Sequence, residues 1–198
     1  MKLEGERILP ADCETVWAAL NNPEILRQSI PGCQDLQAED DTHLTATVGI
    51  KIGPVAAKFS GKVELQDMNP PHSYTLVGSG SGGPAGSARG EAKVHLEPHD
   101  EGCKMSYNVD AAVSGKLAQL GQRMIDPVAR KLAEQFFDRF SDIIEQSHQD
   151  TDTPNDIAQT EESTPETNNA QKQGIPQWVW FAGVAGAVLL YLLLGTSQ

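Results

Sequence analysis

A glycine-rich run, three cysteines and five histidines are the residues of this chain whose types could do chemistry. The run at 78–90, GSGSGGPAGSARG, has the glycine density of a phosphate cradle. A cradle needs a strand before it, a helix after it and a Lys-Ser/Thr ending, so that backbone N–H groups and a helix N-terminus hold the anion. Here a strand-like alternation follows, and Arg89 is the one cation of the run. Phosphate binding is set aside, and two readings stand. One is a plain hairpin turn. The other is a hairpin at a pocket mouth or docking surface, with Gly80, Gly82, Gly83 and Gly86 permitting motion and close approach.

Cys13, Cys33 and Cys103 are odd in number and lack metal-ligand spacing, so they are expected as reduced, buried or half-buried thiols of a reducing compartment. Cys33, after Pro31-Gly32, is a nucleophile candidate, but nothing in its sequence surroundings lowers a thiol pKa. His43, His72, His95, His99 and His148 fall on polar faces or turns, without a metal-binding pattern. The expectation is a protein with no catalytic residues, no metal and no covalent cofactor. The net charge of −12 and the lack of a basic run argue against nucleic acid.

The elements that would position these residues begin with 9–33. Asp12 is an N-cap with Glu14 in the first turn, and Val16, Trp17 and Leu20 recur at helical spacing. Asn21-Asn22-Pro23 stops that helix and starts a second, carrying Ile25, Leu26 and Ile30 up to Pro31-Gly32. Two short helices cannot bury their apolar faces on each other, so they need a sheet. Lys2 to Leu9 reads as a first strand, and from Gln34 the apolar residues alternate: Leu44, Ala46, Val48 and Ile50, then Phe59, Val63 and Leu65, then Tyr74 and Leu76, Ala92, Val94 and Leu96, and Met105 to Val113. Turns at Gly53-Pro54, Asn69-Pro70-Pro71 and Glu101-Gly102 make this an antiparallel meander of six further strands. A long helix follows from about Lys116 to Ser147, with Pro127 predicting a kink near Ile125-Asp126. Leu120, Met124, Ile125, Val128, Leu132 and Phe136 lie on its apolar face. Physics alone gives α+β with one core.

Five stretches carry a resemblance: WAALNNPEIL with IPGC at 17–33, IGPV at 52–55, the glycine run, GKLAQLG at 115–121 and RKLAEQFF at 130–137. In that order they resemble the CoxG family, the G-subunit family of carbon monoxide dehydrogenase, which belongs to the START-like or SRPBCC superfamily, over about residues 2–147. The resemblance implies a helix-grip fold, in which a curved antiparallel sheet wraps a long C-terminal helix and leaves a ligand pocket between them. The pocket lining would be Trp17, Leu20, Ile25, Leu26 and Ile30 with Leu120, Met124, Ile125, Val128, Leu132 and Phe136. It further implies recruitment to the membrane of a cytoplasmic molybdenum hydroxylase of the carbon monoxide dehydrogenase kind. A head with a greasy pocket, held within a linker's reach of the bilayer, suggests a quinone or other isoprenoid as the bound lipophile, presented to that enzyme. The alternative is a membrane-tethered lipid or isoprenoid carrier, or a tether, without a redox partner.

Beyond a head at 1–148, residues 149–174 hold six acids, one base and almost nothing apolar, the composition of a disordered linker. As a flexible coil it would span roughly 25–30 Å. Residues 175–195, IPQWVWFAGVAGAVLLYLLLG, are uncharged and long enough to cross a bilayer, with Trp178 and Trp180 at one end and Tyr191 near the other as interface anchors. No apolar leader precedes the head. The expected placement is a single-pass protein of the cytoplasmic membrane with its head in the cytoplasm.

Overall fold

The computed structural model describes residues 2–149; the span expected at 175–195, and nearly all of the acidic linker before it, lie outside the described residues. Among the described residues no helix is long and apolar enough to cross a membrane.

Seven antiparallel strands form one sheet: β1 Lys2–Leu9, β2 Cys33–Ala38, β3 His43–Ile52, β4 Val55–Asn69, β5 Ser73–Ser81, β6 Ser87–His99 and β7 Gly102–Val113. Their spatial order is β1-β7-β6-β5-β4-β3-β2, so β2 to β7 are a plain meander and β1 closes one edge against β7. The alternation read from sequence holds along β3 and β6 and breaks on β5, where Thr75 is buried between Tyr74 and Leu76. Leu44, Ala46, Val48, Ile50 and Ile52 of β3 are buried, while His43 and Lys51 face outward. One face of the sheet is therefore apolar and needs a cover.

Helices α1 Cys13–Leu20, α2 Pro23–Ser29, α3 Gly115–Leu120 and α4 Gln122–Gln149 supply that cover. Asp12 caps α1, accepting from Thr15 N at 2.8 Å, and Asn22 caps α2, accepting from Glu24 N at 3.0 Å. Between the caps, α1 buries Val16, Trp17, Ala19 and Leu20. The ring of Trp17 meets Tyr74 on β5 edge-to-face at 5.2 Å, which seats α1 on the sheet. On α4, Phe136 packs against both Phe137 and Phe140, and Phe137 stacks on Tyr107 of β7. Arg7 of β1 donates to Asp138 of α4 at the rim. Each fully buried Leu or Phe in this layer contributes about 1.5–3 kcal/mol.

Two expectations are corrected. The break in the last helix is at Gly121, not near Ile125-Asp126. Gly121 has φ +71 and separates α3 from α4, whereas Pro127 sits inside α4. Pro127 is only the sixth residue of α4, so the hydrogen bond it forfeits is in the first turns, while a φ of +71 cannot be carried through any helix. Cys13 and Cys103, expected as thiols, form a disulfide, with Cα atoms 5.1 Å apart. Leu9 pairs with Cys103 across β1 and β7, and α1 starts four residues after Leu9, which lays Cys13 over its partner. That register is non-local, and cysteine spacing does not reveal it.

Candidate functional site

The expected lining divides into three groups by depth. Trp17, Leu20, Leu26, Ile30, Ile125 and Phe136 are buried core side chains. Ile25, Leu120, Val128 and Leu132 are partly buried and pack against that core. Met124 stands 43% exposed, one of two large hydrophobic side chains exposed among the described residues. The space between sheet and α4 is thus occupied in this conformation by its own side chains; Leu120, Met124, Val128 and Leu132 lie at the end of α3 and in the first half of α4, and Ile25 lies on α2.

The start of α4 lies against the β3–β4 turn. Met124 Cε lies 2.7 Å from where a Cβ on Gly53 would be, so Met124 lies across the β3–β4 turn. Gly121, beside it, has open space around its Cβ direction and a φ that an L side chain rarely adopts. The junction of α3 and α4 is held by Gly121 N donating to Ala118 O at 3.1 Å and by the buried Leu117 and Ile125 on either side, while Gly121 itself carries no side-chain contact. A buried polar atom lies one residue past Ile125: Asp126 Oδ1 has no hydrogen-bond partner. Asn21, 1% exposed, donates from Nδ2 to Trp17 O at 2.6 Å and leaves its own Oδ1 buried without a partner. Such orphaned acceptors cost free energy unless something donates to them.

Four concavities stand out on the described surface. Three, of about 660, 700 and 660 Å³, lie on the outward side of the sheet, among residues such as Lys93, Ser106 and Asn108, Thr47, Ser60 and Ser81, and His43, Glu64 and Glu91. The fourth, about 300 Å³, is bounded by Thr15, Ala18, Ala19, Asn22, Ile25, Ile144 and Ser147 where α1 and α2 meet the end of α4. Of the expected lining, Ile25 alone borders any of the four.

The glycine run is a hairpin with a 3-10 turn at Gly83–Ala85. A Cβ on Gly82 would sit 2.4 Å from the Phe59 ring, and one on Gly86, at φ +122, only 1.9 Å from Ser114 O. Gly80 pairs with Ala88 within the β5–β6 ladder. Ser114 fastens the hairpin to the β7–α3 junction, its Oγ accepting from Ser87 N at 3.0 Å. Close packing therefore demands Gly82 and Gly86, whereas Gly83, at φ +58 with nothing within 4 Å of its Cβ direction, offers a free surface.

No nucleophile or metal centre emerges among the described residues. Burial pushes the Cys33 thiol up, against a smaller pull from Arg27, so its thiolate is disfavoured. No three His, Cys, Asp or Glu side chains among the described residues are grouped to hold a metal ion. His43 Nδ1 lies 2.9 Å from the Asp40 carboxylate in the β2–β3 turn, which raises the imidazole pKa. The Asp40 carboxyl is lowered chiefly by the Thr42 N–H that donates to it at 2.8 Å and next by His43. The pair is an exposed turn lock.

The geometry agrees with what the chain is similar to. The family model for CoxG, the G subunit of carbon monoxide dehydrogenase, matches residues 5–145. A conserved protein from Geobacillus kaustophilus of solved structure is 34% identical, with TM-score 0.70 over 74% of this chain and 97% of that one. A Thermus thermophilus protein shares the fold at 14% identity, TM-score 0.57, covering 74% and 99% of the two chains. A Mycobacterium smegmatis protein does so at 16% and 0.55, covering 74% and 92%. No match was found among proteins with curated descriptions.

Proposed function

Because the chain belongs to the CoxG family of carbon monoxide dehydrogenase, we propose that it is an accessory, non-catalytic protein that brings a molybdenum hydroxylase of the carbon monoxide dehydrogenase kind to the cytoplasmic membrane. The observation that carries this reading is the family match over residues 5–145, nearly the whole of the head. The apolar segment at 175–195 is the anchor, and the acidic stretch before it is the tether.

The head binds a quinone or similar isoprenoid between the sheet and α4. Support comes from the half-exposed Leu120, Met124, Val128 and Leu132, and from Gly121 beside them, where a φ of +71 interrupts the helix. A lipophile enters here by swinging α4 about Gly121 and displacing side chains of the present core. Burial at roughly 25 cal/mol per Å² makes a few hundred Å² of isoprenoid worth about 5–10 kcal/mol against that displacement.

The head faces the cytoplasm, where the partner enzyme works. The Cys13–Cys103 bridge is the feature at odds with that side, since disulfides persist in oxidising compartments. Trapping thiols in intact cells before lysis decides it: a dithiol fits a cytoplasmic head, and a bridged pair puts the head on the other side.

Organic extraction of the purified protein followed by mass spectrometry tests the ligand. A quinone should be recovered, or taken up when supplied. Met124→Asp at the start of α4 and Ala129→Trp on its inner face should both abolish uptake. Protein that carries nothing and takes up no added quinone leaves a tether alone.

A further inference from the structure

We propose that the end of the head around Met124 is a docking surface for an anionic lipid bilayer. The sequence carries 27 acids against 15 bases, yet three stretches, 42–63, 78–90 and 111–125, contain no acid at all. They contain Lys51, Lys58, Lys62, Arg89, Lys116 and Arg123. The fold brings part of each, 50–60, 81–87 and 113–124, to one end. Gly53, between β3 and β4, meets Met124; Gly82 meets Phe59 of β4; and Gly86 meets Ser114 and Gly115.

The pairing of charges separates this end from the rest. On the strands, Lys2, Arg7, Lys62, Lys93 and Lys104 each engage a carboxylate within 4.0 Å. Lys51, Lys58 and Arg89, exposed strand residues of this end, engage none among the described residues, and neither do Lys116 and Arg123 on the helices beside them. Asp35 borders the surface from β2, Asp126 follows Met124 on α4, and Arg89 shares an outer-face concavity with Glu39, Glu64, Glu91 and Asp110. Among the described residues, the cations of this end free of nearby acids are therefore Lys51 and Lys58 at the β3–β4 turn, with Lys116 and Arg123 beside them. Unpaired cations in a chain of net charge −12 call for an anionic surface to face. An apolar tip among them favours a bilayer over an acidic protein, because a lipid interface accepts both the Met124 side chain and the surrounding cations. Docking this way points the α3–α4 junction at lipid, and it requires neither the apolar tail nor a bound ligand.

The head has one complete core of its own, so a chain ending at residue 148 serves for the test. Its binding is measured by co-sedimentation with phosphatidylcholine vesicles and with vesicles containing phosphatidylglycerol, at low and high salt. Binding should need phosphatidylglycerol and fall with salt. Lys51→Ala with Lys58→Ala should lower the partition coefficient roughly 30-fold, about fivefold for each cation. Met124→Trp should show a blue-shifted emission on the anionic vesicles. Ile8→Trp, on β1 and 41% exposed in the parent, should not. Equal binding to neutral vesicles, no binding to anionic ones, a double variant that binds unchanged, or an equal shift at Ile8→Trp each overturns the proposal. A double variant that fails to recruit the dehydrogenase, where no head binds vesicles, overturns it in favour of an acidic protein face.

Discussion

Removing the bridge between Cys13 and Cys103 is the perturbation whose size the fold allows to be worked out. The two residues are 90 apart in sequence, and together they tie the first turn of α1 to β7. Both sulfurs lie in the core, Cys103 fully buried and Cys13 9% exposed, so Cys13→Ala with Cys103→Ala leaves little new cavity. The loss is then mainly the loop-closure entropy regained by the unfolded chain, about 4–5 kcal/mol for a loop of this length. For a head of this size each kcal/mol moves Tm by roughly 3–4 °C, so the double variant should melt about 15 °C lower. Calorimetry with and without a strong reductant checks this, and the reduced parent should melt close to the variant. A thiol titration of the unfolded, unreduced head should find Cys33 as the sole free thiol. Equal melting of parent, reduced parent and variant would show that the bridge does not constrain the fold.

The glycine hairpin should rank its own residues: Gly83→Ala should cost about 1 kcal/mol for its φ alone, and Gly86→Ala about 3 kcal/mol or more for φ and clash together, with Gly82→Ala between, all read by urea unfolding. His43 should titrate above the ordinary imidazole value by NMR and return toward it in Asp40→Asn, because the carboxylate hydrogen bond is the largest cause of the shift. The turn lock contributes between the two titrations: it weakens as pH rises through the raised His43 pKa, and again as pH falls through the depressed Asp40 pKa. Ala129→Trp, placed where Ala129 is 3% exposed between α4 and the core, should destabilise the head by about 1–3 kcal/mol if no cavity pre-exists and less if ligand entry opens one.

The strands were legible because each has one wet face, so Leu44 to Ile50 and Ala92 to Leu96 alternate without exception. The helix pair was legible because Asp12 and Asn22 are caps with local partners. Gly121 was not, because a lone glycine inside a helical pattern is commonly tolerated, and Pro127 offered the stronger breaker signal six residues on. The glycines of the hairpin could not be sorted by sequence: Gly82 and Gly83 are neighbours, yet one faces the Phe59 ring and the other open space. The lining residues meet the same limit, since helical spacing placed Phe136 and Met124 on one face without telling a buried ring from an exposed thioether. The acid-free stretches are plain in the sequence, but only the contacts of Gly53, Gly82 and Gly86 show that they meet.

The recruiting role is tested most directly by where the dehydrogenase sits in cells. With the full chain present, the enzyme should sediment with membranes; in cells whose chain ends at residue 174, enzyme and head should appear together in the soluble fraction. Enzyme that stays on the membrane without residues 175–198, or that never associates with the head in either fraction, would contradict it.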